Sequence, residues 1–180
     1  SIGINVVNVN HEYLDNSLNS RSDIANMYHK TISEGIYVSM HSNAINKQDG
    51  ASGFSIWTSP GQTGSDTVAT AIWNAVKNEL STKWDIKMMA QASIDKDPDY
   101  EANFAVLRNT IMRSVLLENL FFDNYEDIPL KLEHAPPRRD RASPQIMGQI
   151  QVAVQPRAKR YVETAVIDDG KAGFCDIIYA

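Results

Sequence analysis

Two side chains in this sequence have the type and setting for metal or proton chemistry. The stretch "YVSMHSNA" (37–44) carries an apolar run into His41 and follows it at once with Ser42, Asn43 and Ala44. A neutral imidazole at a strand end is a good zinc ligand, and small neighbours leave room for an ion and a substrate. A hydrogen-bonded structural histidine has the same signature, so this stretch alone leaves both readings open. The stretch "SVLLENLFFDN" (114–124) sets Glu118 between two apolar triplets. A carboxyl in such surroundings is partly desolvated, which raises its pKa and poises it for general acid–base work near neutral pH. The competing reading is a strand-end glutamate that pairs with a neighbour or meets solvent. The two residues stand 77 positions apart (118 − 41), so only folding brings them together.

The elements that must position them follow from periodicity. "GINVVNVN" (3–10) alternates and is β-branched, as a strand requires. Ile24, Met27, Tyr28 and Ile32 recur at helical spacing, predicting a helix over 20–33 capped by Asn19 or Ser20, with Gly35 beyond its end. "IYVSMHSN" starts apolar on both faces, like a central strand. "GFSIWTS" reads as a third strand. Val68, Ala71, Ile72, Ala75, Val76 and Leu80 form one stripe of a helix over 65–80. "WDIKMMA" fits an edge strand, and "FAVLRNT" and "SVLLENLF" are short apolar runs separated by a turn. Ser143 and Pro144 open a further helix that Pro156 kinks or ends. Strands alternating with helices predict an α/β fold: a single domain with a mostly parallel twisted sheet and helices on both faces. The domain spans residues 1–160, and residues 161–180 form a C-terminal extension without a clear place in it. In such sheets functional residues gather where strands end and loops begin, and His41 sits at such an end.

Composition narrows the classes. With 180 residues, 43% hydrophobic, the chain suits one ordinary domain with a sizeable core. A net charge of −5 gives no broad basic surface for nucleic acid. No apolar run approaches the length of a membrane span, and the opening "SIGINVVNVN" lacks the basic start and apolar stretch of a secretion signal. One cysteine, Cys175, excludes an internal disulfide framework and a cysteine-rich zinc site. With no "GxSxG" elbow, a generic α/β hydrolase lacks its nucleophile.

Several stretches in a fixed order carry a family resemblance. "YVSMHSNA" resembles a "SIHANA"-type strand end. Upstream, "RSDIAN" (21–26), preceded by Asp15 and Leu18, is similar to an "R…AN" helix. Downstream, "GFSIWTSPGQTGSDTVATAIWNAVKNEL" is similar to a strand and its following helix. "EANFAVLRNTIMRSVLLENLFFDNYED" resembles a segment that ends in a catalytic glutamate. Together, over roughly residues 3 to 130, these resemble the zinc-dependent N-acetylmuramoyl-L-alanine amidases of cell-wall hydrolases and phage endolysins. The resemblance implies that His41 is a zinc ligand and that Glu118 is the catalytic acid/base, activating water and protonating the leaving amine. It places Asn43, Asn103, Arg108 and Asn119 as neighbours of a peptide or sugar substrate, against loop solvation or turn formation for each. Peptidoglycan is the implied partner, and the implied setting is the bacterial wall, the periplasm, the exterior or a phage. An acidic surface has no general attraction to an anionic wall, so targeting calls for another module or a specific groove.

The chain also departs from that family. Members open with a strand and a "GHGG"-like loop bearing the first zinc ligand, and a glutamate near the first helix supplies the second. This sequence reads as starting after both. A catalytic zinc takes three protein ligands and keeps one position open. His11 and Glu12 in "NHEYLD" are adjacent, so on a strand they face opposite sides. His29 falls in the predicted helix on its solvent side, and His134 falls in the Pro-rich connection. "TAVIDDGKAGF" (164–174) faintly resembles the missing opening, with Lys171 where a histidine belongs. The expectation is therefore either a zinc amidase or a degenerate amidase-fold domain that binds peptidoglycan or serves an assembly without catalysis.

Overall fold

The computed structural model describes residues 6–9, 16–32, 34–45, 50–81, 85–91, 96–124 and 127, and the backbone of 175–179. In chain order the elements are β1 (Val6–Asn8), α1 (Leu18–His29), β2 (Ile36–Asn43), β3 (Phe54–Thr58) and α2 (Gly64–Val76). A π-helical turn (Lys77–Ser81) continues α2. Then come β4 (Tyr100–Glu101), the single turn α3 (Ala105–Arg108), β5 (Arg113–Phe121) and β6 (Cys175–Tyr179). One six-stranded sheet runs in the order β1-β6-β2-β5-β3-β4. The fold is α/β, as its alternation predicts.

The sheet is mixed rather than mostly parallel. β2 and β5 pair in parallel, as do β3 and β4, while β1·β6, β2·β6 and β3·β5 are antiparallel. The link from the end of β2 at Asn43 to the start of β3 at Phe54 is shorter than the dozen or so residues that a parallel crossover needs, so β3 runs antiparallel to β2. β6 lies between β1 and β2, a place that residues 161–180 do not announce in their sequence. The predicted helix from Ser143 lies outside the described residues.

Helix ends follow local chemistry. Ser17, rather than Asn19 or Ser20, caps α1, its side chain accepting from Ser20 N. Thr63 caps α2 in a capping box with Asp66, whose carboxylate reaches back to Thr63 N. The predicted α2 stripe is buried at Val68, Ile72 and Val76, together with Ala69. On α1 the inward positions are Arg21, Ser22 and Ala25. Met27, expected inward, is 57% exposed because it sits off that stripe.

Two cores sandwich the sheet. On one side α2 covers Val38, Val115, Leu117, Phe54 and Ile56. On the other, α1 and α3 pack against Tyr37, Leu116 and Met112. Asn26 of α1 grips the approach to β5, donating to Asn109 O (2.8 Å) and accepting from Ile111 N (2.8 Å). Gly53, at the entry to β3, has φ 116°. A Cβ there would fall 2.2 Å from Lys87 O, so the close approach admits only glycine.

At the other edge of β3 the Thr58 hydroxyl donates to Asp99 (2.6 Å), which is 3% exposed. Burial, with Asp97 and Asp66 nearby, outweighs that bond and pushes the Asp99 carboxyl up from 3.8 to about 7. The folded chain therefore binds this proton more tightly than the unfolded chain does. Stability from this group falls as pH rises from about 4 to about 7 and is level above that. Asp99→Asn keeps an acceptor for Thr58 and offers an N–H to Asp97. Thermal melts should show the variant more stable than wild type at pH 8, by about 4 °C, with the difference vanishing near pH 4.

Candidate active site

His41 and Glu118 are register partners on adjacent parallel strands. Side chains at paired positions point to one face, and neighbouring strands lie about 4.8 Å apart. The same row continues into β3, where Ser55 pairs with Glu118. The imidazole and the carboxyl thus stand side by side near the carboxyl ends of two parallel strands. Both are half-buried, and Oε2 of Glu118 is shut off from solvent, so its carboxyl is partly desolvated.

The imidazole is oriented from below. Ser39, two residues earlier and therefore on the same face, contacts His41 Nε2 through its Oγ at 2.7 Å. Ser39, His41 and Glu118 are the residue types of a nucleophile triad. Ser39, however, is wholly buried, so no substrate carbonyl reaches its hydroxyl, which serves to hold the ring. Ser39→Ala should shift the ring ¹⁵N resonances of His41 and lower the unfolding free energy by about 1 kcal/mol. Unmoved resonances would show that the serine does not orient the ring. Ser55, also buried, accepts from Trp57 Nε1 at 3.1 Å. Trp57 in turn stacks on Tyr100, with centroids 4.8 Å apart.

Immediately past the pair the ladder slips. His41 meets Glu118 but Asn43 meets Phe121, so β5 carries one extra residue, a β-bulge. Leu120 within it takes φ 64°, a left-handed conformation that costs a branched side chain roughly 1–2 kcal/mol. Side chains hold the bulge. Asn119 Nδ2 donates to His41 O (3.0 Å), and the Ser42 hydroxyl reaches the carbonyls of Asn119 (3.4 Å) and Leu120 (3.3 Å). Pairing resumes with Phe122 N to Asn43 O at 3.0 Å.

Of the other expected residues, Asn43 and Asn119 lie at this edge. The Asn43 side chain accepts from Ala44 N (2.8 Å) where the chain leaves β2. Asn103 and Arg108 lie elsewhere, around α3 where β5 begins. Arg108 Nη1 donates to both the backbone O and the Oδ1 of Asn103 (3.1 and 3.0 Å). His29 ends α1 half-buried rather than on the solvent side. His11, Glu12, His134 and Lys171 lie outside the described residues. Ser39 was legible from strand alternation, two positions before His41. The bulge leaves no mark in residue type, because leucine gives no hint of a positive φ.

The family model for N-acetylmuramoyl-L-alanine amidase matches residues 2–133, which include both His41 and Glu118. The chain belongs to this family. Among solved structures it is similar to the amidase from Clostridium difficile 630, with 24% identity and TM-score 0.49, covering 64% of this chain and 54% of that one. It is similar also to Ami1 from Mycobacterium smegmatis, with 20% identity and TM-score 0.48, covering 65% and 51%. The catalytic domain of CwlV from Bacillus (Paenibacillus) polymyxa var. colistinus gives 20% identity and TM-score 0.45, covering 64% and 54%. The chain spans about half the length of these amidase structures. No curated protein matches it.

Amidases of this family are generally zinc-dependent, which poses a test of fit. Among the described residues no group of three His, Cys, Asp or Glu side chains is clustered to hold a metal. The register pair of His41 and Glu118 is short of the three protein ligands of a catalytic zinc. The described residues do not by themselves make a zinc centre. No helix among them is long and apolar enough to cross a membrane.

Proposed function

We propose that the chain is the catalytic unit of a peptidoglycan hydrolase that cleaves the amide between the lactyl group of N-acetylmuramic acid and L-alanine. The observation that carries this reading is the register of His41 with Glu118, on one face at a carboxyl edge, in a chain of the amidase family. In the proposed reaction water adds to the lactyl carbonyl carbon and the Glu118 carboxylate takes its proton. The same carboxyl then gives that proton to the alanine nitrogen as the C–N bond breaks. The ring of His41, held by Ser39, lines the site beside it. Zinc belongs to the proposal as the metal of the family, His41 being the residue proposed to bind it. The place of action is the bacterial wall, in remodelling or in lysis by a phage.

Digestion of purified sacculi tests the reaction. Mass spectrometry of the products should show peptides with free N-terminal L-alanine and glycan strands with bare lactyl groups. New reducing ends without free alanine would identify a glycosidase instead. The shortage of ligands among the described residues favours one rival, a domain that binds peptidoglycan without cutting it. Retention on sacculi with no release of alanine-headed peptides would decide for that rival.

A further inference from the structure

Glu118 must stay level with His41 although β5 bulges at the next two residues, and a strand that slips by one residue turns its side chains to the other face. What pins β5 beyond the bulge is a buried carboxylate. Asp127, 1% exposed, accepts from Phe121 N (2.7 Å) and Gly53 N (3.3 Å) on Oδ2 and from the Ser52 hydroxyl (2.6 Å) on Oδ1. Asn124, also buried, donates to Ala51 O at 3.1 Å beside it. The turn after β5 thereby grips the start of β3, the strand whose Ser55 pairs with Glu118. We propose that Asp127 is a positioning residue: its carboxylate ties the end of β5 to the start of β3 and so keeps the Glu118 carboxyl facing the His41 imidazole. This rests on the reading of Glu118 as the acid/base.

The geometry separates hydrogen bonding from charge. In Asp127→Asn one oxygen still serves both amides, and the new N–H₂ donates to the Ser52 oxygen, so the clamp survives. In Asp127→Ala all three bonds go. The alanine variant should expose the Phe121 and Gly53 amides to hydrogen exchange about tenfold faster or more, while the amides of α2 exchange as in wild type. The ring ¹⁵N resonances of His41 should move, and kcat on a soluble muramyl peptide should fall by about ten- to a hundredfold. KM should stay within about twofold, since substrate contacts are untouched. Asp127→Asn should restore amide exchange, the His41 resonances and kcat to near wild type. If the alanine variant does not fold, Ser52→Ala, which removes one arm, should show the same pattern at reduced size. Unmoved His41 resonances in a variant whose Phe121 amide has opened would overturn the proposal, and so would an asparagine variant as impaired as the alanine one. Wild-type protein without turnover would sink the proposed reaction instead, while the resonances would still decide the role of Asp127.

Discussion

Glu118→Gln is expected to lower kcat on muramyl peptides by about 10²–10⁴-fold with little change in the urea midpoint. Glutamine matches the size of glutamate and keeps its ability to hydrogen-bond, but it cannot take a proton from water or return one to an amine. The carboxyl is half-buried in the row His41–Glu118–Ser55, so neutralising it removes chemistry while leaving the sheet core intact. A variant with full activity would remove Glu118 from the reaction. A variant that loses activity only by unfolding would show that the residue is structural.

The opposite face of the same strand gives the largest expected loss of stability. Leu117, next to Glu118, is wholly buried and packs with Val38, Ile56, Val68 and Ile72 under α2. Leu117→Ala should cost about 2–5 kcal/mol, because a cavity is left where close-packed neighbours relax only in part. In a chain of this size that lowers Tm by roughly 10 °C. Urea unfolding followed by far-ultraviolet circular dichroism measures it, and a loss below about 1 kcal/mol would show that the site collapses around the smaller side chain. Two adjacent residues, one sustaining the proposed chemistry and one the core, thus test the alternation on which the site depends.

Much of this was legible in the sequence, for physical reasons that differ by element. β2 coincides with "IYVSMHSN", because a run apolar on both faces can be satisfied only at the centre of a sheet. The periodic α2 was clear for the same kind of reason, although its true start is set by the Thr63–Asp66 box. "FAVLRNT" has no period long enough to classify, and it folds as one helical turn, Ala105–Arg108. Among the described residues of "WDIKMMA", Met88 forms an isolated bridge to Phe54. Within the candidate site, His41 was visible because it ends an apolar run and Glu118 because it interrupts one. Their pairing depends on parallel register, which no local pattern specifies. Asp127 carried no signal either, since an aspartate after a polar turn is ordinarily solvated and only the closing of that turn onto Ser52 and Gly53 buries it.

A double-mutant cycle on His41 and Glu118 tests most directly whether the two side chains act as one site. Turnover of a defined muramyl peptide would be measured for His41→Ala, Glu118→Gln and the pair, with amide exchange confirming that each variant is folded. Residues that serve one reaction step are strongly non-additive, so the double variant should fall within about threefold of the slower single one. Losses that multiply independently would contradict the account, leaving two neighbours on a sheet that share no chemistry.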